Sequence, residues 1–134
     1  MQSDEATLVA LEKASAAGKI STVGGRVIDF SNPTVKKIIY NRRNVVVGLH
    51  KYHTPPDKLP AFPSARKVKG KTPKQKGGGV RKRWIDKDGY IYEWDSQHGA
   101  IEKYSRNGKR HIGEFDVLTG EQNKLADSSR KIQR

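Results

Sequence analysis

Residues 80–115 alternate between apolar and polar side chains, and this period of two constrains the fold more than any other feature. Four short runs carry the pattern, at residues 80–85, 90–95, 100–104 and 111–115. The stretches between them, DKDG, SQHG and RNGK, are rich in turn-forming residues. We therefore predict an antiparallel meander, strongly twisted, with polar turns at its tips.

The second predicted strand separates two kinds of side chain. Tyr90, Tyr92 and Trp94 share one face, which we expect to cover the hydrophobic core. Glu93 and Asp95 lie on the opposite face. The sheet should therefore have one packed face and one face that carries charged groups.

The first part of the chain gives weaker signals. Residues 4–17 have helical spacing and predict an amphipathic helix that Gly18 ends. Residues 27–30 favour a short strand, residues 35–40 fit a helix or a strand, and residues 41–44 indicate a polar break. The predicted fold class is α+β, mostly β: a small antiparallel sheet with a short N-terminal helical segment.

Positive charge is concentrated ahead of the strands. The chain of 134 residues has 27 Lys and Arg against 14 Asp and Glu, a net charge of +13, which points to a polyanionic partner. Residues 66–83, here named the cationic arm, contain no acid and carry a glycine hinge at 77–79. We expect the arm to be mobile alone and to order against a polyanion, although a solvated linker has the same composition. Its candidate RNA-binding cations are Lys69, Lys71, Lys74, Lys76, Arg81, Lys82 and Arg83.

Cysteine is absent, which excludes disulfides and thiolate metal sites. This fits a reducing compartment, or a protein that must unfold while it crosses an envelope. No apolar run approaches the ~20 residues that span a bilayer, so we expect no stable membrane insertion. Four histidines without paired metal-ligand spacing predict no metal and no cofactor.

Two carboxylates and an imidazole lie close together around the SQHG turn. Asp95 ends one predicted strand, His98 lies in the turn, and Glu102 lies on the returning strand. Such a hairpin can bring the three groups to one side. A helix would also place them on one face, but Gly99 and the strand pattern argue against it. A polar turn that merely carries polar residues is the alternative interpretation.

An acid, a base and nearby cations suit the cleavage of RNA, whose ribose 2′-hydroxyl is an internal nucleophile. Glu102 is the candidate base and His98 the candidate acid. Asp95 would orient the imidazole or share the proton transfer. The candidate cations that would steady the charge of the phosphorane are Arg130, Lys82 and Arg83. The expected product is a 2′,3′-cyclic phosphate.

Two other functions compete with this interpretation. A non-catalytic basic RNA-binding protein explains the charge and the arm, but not the carboxylates of Asp95 and Glu102, which oppose phosphate binding. A metal-dependent deoxyribonuclease would need a histidine cluster that the sequence lacks.

Three segments, KTPKQKGGGVRKRW (71–84), IYEWDSQHG (91–99) and FDVLTG (115–120), resemble a known family, as do Glu102 and Tyr104. The family is the cytotoxic ribonuclease domain of cloacin and the ribosome-cleaving E-group colicins. The resemblance covers about residues 50–134. It implies a small twisted antiparallel sheet and metal-independent cleavage of 16S ribosomal RNA at the decoding centre, which stops translation.

The resemblance also assigns roles and partners. By position, Asp95, His98 and Glu102 match the family's catalytic acid, histidine and glutamate, and Arg130 matches its tail arginine. Ala100 stands where family members have a glutamate, so either that acid is dispensable or the roles shift onto Asp95 and Glu102. The implied partners are the 30S or 70S ribosome and a tightly bound acidic immunity protein.

Residues 1–44 do not resemble the helical receptor-binding hairpin that precedes a colicin nuclease. We therefore predict an N-terminal helical or linker segment at 1–44, which serves entry or docking, and a cytotoxic ribonuclease domain at 45–134. The parent would be a larger secreted or cell-surface toxin, either a bacteriocin or a contact-dependent inhibition protein. It would act in the cytoplasm of the target cell.

Overall fold

The structure is a computed structural model that describes residues 19–21, 27–75 and 77–134. A two-stranded hairpin and a six-stranded sheet, both antiparallel, make up its β-structure, and the strand order of the larger sheet follows the sequence. The predicted class, α+β and mostly β with an antiparallel meander, is therefore confirmed. The elements are β1 (Lys19–Ser21), β2 (Val27–Asp29), α1 (Pro33–Val46), β3 (Arg66–Val68), β4 (Arg83–Ile85), β5 (Ile91–Asp95), β6 (Ala100–Tyr104), β7 (His111–Phe115) and β8 (Gln122–Lys124).

Helix α1 begins at a cap that the sequence supplies. Asn32 Oδ1 accepts the backbone N–H of Thr34 at 2.8 Å, and Pro33 occupies the first turn, where no N–H is needed. The helix continues through residues 41–44, so the polar break predicted there is wrong. Strand β2 confirms the strand predicted near 27–30, whereas the helix predicted at 4–17 lies outside the described residues.

One face of the larger sheet builds the hydrophobic core. Tyr92 and Trp94 are buried there as predicted, and Tyr90 packs against the same cluster. The cluster also takes in Ile28 of β2, Phe30 directly after it, and Val35 and Ile38 of α1. The core therefore draws on residues from both sides of position 44, and the division of the chain at that point stays a prediction.

The proline-rich segment before the arm, residues 51–63, is hydrogen-bonded to the sheet through two indoles. Trp84 Nε1 donates to the carbonyl of Asp57 at 2.9 Å, and Trp94 Nε1 donates to the carbonyl of His53 at 3.0 Å. These bonds satisfy the polar atoms of two buried rings.

The cationic arm is more ordered than its composition suggests. Its first residues form β3, which pairs with β4, and a bridge joins Pro73 to Val80. The N–H of Arg81 donates to the carbonyl of Thr72 at 2.8 Å. The arm thus folds back on itself, with the predicted glycine hinge at its far end.

The C-terminal tail, residues 124–134, has little regular secondary structure but is hydrogen-bonded to the sheet region. It begins at the last residue of β8 and then returns to the turn between β6 and β7, where the N–H of Ile132 donates to the carbonyl of Gly108 at 2.8 Å. Across the described residues, none of the helices is both long and apolar enough to cross a membrane.

Candidate active site

A row of five charged residues crosses the face of the sheet opposite the core. Consecutive members are direct cross-strand partners, and residues so paired project from the same face. In order from β4 to β8 the row is Arg83, Glu93, Glu102, Glu114 and Lys124. We name it the charged row. Its three glutamates are no more than 4% exposed, so each carboxylate needs a partner.

Glu93 has all its hydrogen-bond partners on one oxygen, and its other oxygen, Oε1, is buried without one among the described residues. Its Oε2 accepts hydrogen bonds from Arg83 Nε at 3.0 Å, Arg83 NH2 at 2.8 Å and Thr72 Oγ1 at 2.7 Å. The side chains of Arg83 and Glu93 are only 2% and 0% exposed. Arg83 was predicted to bind RNA, but here its guanidinium neutralises a buried carboxylate instead. Thr72 ties the cationic arm to this pair.

Glu102 is held on both carboxylate oxygens. His111 Nδ1 accepts the N–H of Asp127 at 2.9 Å, so the ring proton lies on Nε2, which donates to Glu102 Oε1 at 2.8 Å. Arg130 NH1 lies 3.2 Å from Glu102 Oε2. Burial lowers the pKa of Arg130, but the nearby Glu102 charge and Tyr104 outweigh it and raise that pKa above its ordinary value.

The third group is the Asp95–His98 pair at the end of β5. Asp95 Oδ1 accepts the backbone N–H groups of Gln97 and His98, and Asp95 Oδ2 lies 2.7 Å from His98 Nδ1. An ionised carboxylate only accepts, so Nδ1 carries the proton and Nε2 is the nitrogen that can exchange one with a substrate. The His98 side chain is 44% exposed.

The pKa of Asp95 results from opposing effects. Burial raises it, but the hydrogen bond and the charge of His98, together with the N–H groups of His98 and Gln97, lower it by more. The net pKa is below the ordinary value for aspartate, so Asp95 remains an ionised acceptor for the imidazole.

Gly99 fixes the turn that presents this imidazole. Its φ of 64° lies in the left-handed region that favours glycine, and a Cβ there would meet the His53 ring at 2.6 Å. The SQHG turn is thus packed against the proline-rich segment, and His98 is placed next to the sheet.

Glu114 connects His98 to the charged row. Its Oε1 lies 3.7 Å from His98 Nδ1 and 3.7 Å from Lys124 Nζ, and it accepts no hydrogen bond within the described part of the chain. Glu114 is also the cross-strand partner of Glu102. The four predicted catalytic residues therefore come together on one face of the sheet; they are Asp95, His98, Glu102 and Arg130.

Comparison with known proteins places the chain in a family. The family model described as Cytotoxic matches residues 53–133, more than half of the chain. The chain belongs to the Cytotoxic family. Colicin E3 of Escherichia coli is 46% identical over 88 residues, which cover 63% of this chain and 16% of the colicin. Cloacin of Escherichia coli is 54% identical over 67 residues, which cover 49% of this chain and 12% of cloacin.

Colicin-E6 of Escherichia coli is 44% identical over 88 residues, and these residues cover 16% of the length of colicin-E6. The resemblance to the cytotoxic domain of cloacin and the E-group colicins is thereby confirmed. This Cytotoxic domain corresponds to only 12–16% of the length of these relatives. The matched range contains the charged row and all four predicted catalytic residues, whereas α1 precedes it.

The predicted RNA-binding cations of the Cytotoxic domain differ in exposure. Lys69, Lys71, Lys74 and Lys82 are exposed, and Arg81 is half-buried. Lys76 lies outside the described residues. With Arg83 buried, the exposed cations of the arm that the structure describes are Arg66 and lysines.

Sequence reasoning did not select Glu114 or His111 as site residues. In the sequence, both lie outside the hairpin that carries His98 and Glu102. The sheet register nevertheless brings Glu114 beside His98, and His111 beside Glu102. The sequence does contain one signal for Glu114. Three successive strands carry a glutamate at positions that face one another in the sheet, namely Glu93, Glu102 and Glu114, but this is visible only once the register is known.

Proposed function

We propose that this Cytotoxic domain is an endoribonuclease that cleaves 16S ribosomal RNA at the decoding centre and so stops translation. The observation that carries the proposal is the 2.7 Å hydrogen bond that His98 Nδ1, on a solvent-exposed ring, donates to Asp95 Oδ2, on the face that also holds Glu102 and Arg130. Membership of the family that includes colicin E3 and cloacin supports it.

The proposed step needs no metal. Glu102 takes the proton of a ribose 2′-hydroxyl, and the 2′-oxygen attacks the adjacent phosphorus. The bond from phosphorus to the 5′-oxygen breaks, and that oxygen takes a proton from His98 Nε2. The products are a 2′,3′-cyclic phosphate and a 5′-hydroxyl. Asp95 holds the tautomer and the orientation of the ring throughout.

Arg130 supplies fixed positive charge beside the base. Its guanidinium contacts Glu102 Oε2 and is one-third exposed, so it can reach toward a phosphate without leaving the carboxylate. Five N–H donors in one plane suit a phosphorane with several charged oxygens. The contact also fixes the position of the Glu102 carboxylate beside the substrate.

The cationic arm provides affinity rather than turnover. Its lysines lie on residues 66–82, and their number predicts binding that weakens steeply as salt rises. The proposed partners are the 30S or 70S ribosome and a cognate acidic immunity protein, which the net charge of +13 would attract rapidly. The domain would be delivered within a larger secreted or cell-surface protein and act in the cytoplasm of the target cell.

Primer extension on 16S RNA from treated 70S ribosomes tests the proposal. We expect one new stop at the decoding centre and a discrete 3′ fragment with the natural protein, and neither with His98→Ala. A second assay uses an isolated decoding-centre RNA in EDTA, because intact ribosomes need Mg²⁺. RNA that is bound but remains whole would contradict the proposal and favour the non-catalytic RNA-binding protein.

A further inference from the structure

Three potential ligand atoms meet at the edge of the candidate active site. Asp95, His98 and Glu114 each offer one oxygen or nitrogen, and these atoms all lie within 4.8 Å of one another. It is the one group of this kind among the residues that the structure describes. The donors are one imidazole nitrogen and two carboxylate oxygens, a set that suits zinc and other borderline divalent metals.

A second observation points to a cation at this place. Glu114 Oε1 is buried and accepts no hydrogen bond within the described ranges, yet it faces His98 Nδ1 at 3.7 Å. Leaving a buried carboxylate oxygen without a hydrogen bond is unfavourable. The neighbouring cation, Lys124 Nζ, also lies 3.7 Å away on a half-exposed side chain, too far for a hydrogen bond.

We propose that Asp95, His98 and Glu114 form a zinc-binding site that switches the nuclease off. Bonds of about 2.0–2.2 Å place the ligands of a tetrahedral ion about 3.3 Å apart. The separations of 2.7 Å and 3.7 Å from His98 Nδ1 bracket this value. The exposed ring of His98 supplies the small movement that binding needs, and a fourth position stays open to water.

Zinc at this position blocks the proton transfer of the site. Zinc replaces the Nδ1 proton, which is released to solvent. An imidazolium keeps its second proton on Nε2, and a neutral ring takes one up there from solvent. In either case the ring is a neutral imidazole with its proton on Nε2 and cannot cycle between donor and acceptor there. This consequence rests on the proposed function, whereas the binding itself does not. Mg²⁺ should not compete, because it prefers six oxygens in an octahedron and keeps its waters.

Calorimetric titration of the natural protein with zinc tests the site directly. We expect one ion per chain. Glu114→Gln should weaken binding by more than about tenfold, since even the loss of an outer-shell partner commonly costs 10- to 100-fold. The matched control is Glu121→Gln, the same change at an exposed glutamate, which should leave the affinity unchanged.

A variant with the opposite expected sign excludes a general loss of folding. Lys124→Gln removes the cation that now lies beside Glu114, so zinc should bind about two- to fivefold more tightly, the range of an exposed ion pair. Equal affinity of zinc for Glu114→Gln and for the natural protein would overturn the site. Failure of zinc to bind either protein would also overturn it.

Cleavage assays decide the inhibitory role separately. Zinc should lower the cleavage rate of the natural protein at least tenfold, a zinc-selective chelator should restore it, and the residual activity of Glu114→Gln should be insensitive. Stoichiometric zinc binding without any change in rate would overturn the inhibition alone. If the protein does not cleave RNA at all, the proposed function fails, while the titration still decides whether the site exists.

Discussion

Two carboxylates on the same face of β5, Glu93 and Asp95, have opposite surroundings. Glu93 is fully buried and held by Arg83 and Thr72, so its charge is neutralised within the protein. Asp95 is paired with His98, whose ring is 44% exposed. The first pair is closed and fastens the cationic arm to the sheet. The second is open, and its cation is one that can lose and regain a proton.

The comparison shows that two acids on one face of the same strand can differ in their access to solvent, because Glu93 lies inside the sheet and Asp95 ends β5 beside an exposed ring. The Arg83–Glu93 pair is closed to solvent, so a substrate cannot reach it. The His98 ring at the end of β5 faces solvent, so its Nε2 can meet a substrate. The charged row contains the closed pair and continues through Glu102 to Glu114. Glu114 in turn lies beside His98 of the open pair.

The largest expected effect is on the open pair. His98→Ala should lower the cleavage rate by about 10²–10⁴-fold, the range for lost acid–base catalysis, because no other exposed imidazole is paired with Asp95. The measurement is single-turnover cleavage of ribosomes. The free energy of unfolding should change little, since the ring is largely exposed. A rate within threefold of the natural protein would contradict the role of His98.

The next effect is on the closed pair. Arg83→Met leaves the Glu93 charge buried without its partner, which should reduce the free energy of unfolding by about 3–5 kcal/mol in urea denaturation. The double variant Arg83→Met with Glu93→Leu removes both charges and should recover most of that loss. A single-variant loss below about 1 kcal/mol would show that the pair is as solvated as a surface ion pair.

A smaller effect is expected at Glu114, which lies between the closed pair and the open pair. Glu114→Gln removes a negative charge 3.7 Å from His98 Nδ1, and should lower kcat by about tenfold while KM stays the same. Glu121→Gln is the matched control. A raised KM at unchanged kcat would place Glu114 in RNA binding instead of beside the proton transfer.

The smallest effect concerns acid stability. The folded-state pKa of Asp95 lies below its ordinary value of 3.8, so its interaction with His98 stabilises the fold above that value and is lost as the pH falls through the lowered pKa. In Asp95→Asn the free energy of unfolding should therefore fall less on acidification through this window. Equal slopes for the two proteins would mean that the pair does not favour the folded state.

Much of this arrangement could be predicted because local pattern determines it. Period-two alternation located the strands of the meander, and the spacing of Asp95, His98 and Glu102 placed them on one hairpin. Arg83 shows the limit: its charge resembles that of Lys82, and only the register that opposes it to Glu93 reveals a buried pair.

The errors came from contacts between distant parts of the chain. Residues 41–44 resemble a break by local propensity, but Asn44 is buried and Arg42 pairs with Asp116 at 3.1 Å, so tertiary contacts extend the helix. The tail contains few apolar residues, and its order depends on bonds to Gly108 and His111 that no local pattern contains.

The central claim is that His98 and Glu102 transfer the protons of an attack by the ribose 2′-hydroxyl. The most direct test compares a decoding-centre RNA with the same RNA carrying a single 2′-deoxy sugar on the 5′ side of the scissile phosphate. The account predicts a 2′,3′-cyclic phosphate and a 5′-hydroxyl from the first RNA, and no cleavage of the second. Equal cleavage of both RNAs would contradict it.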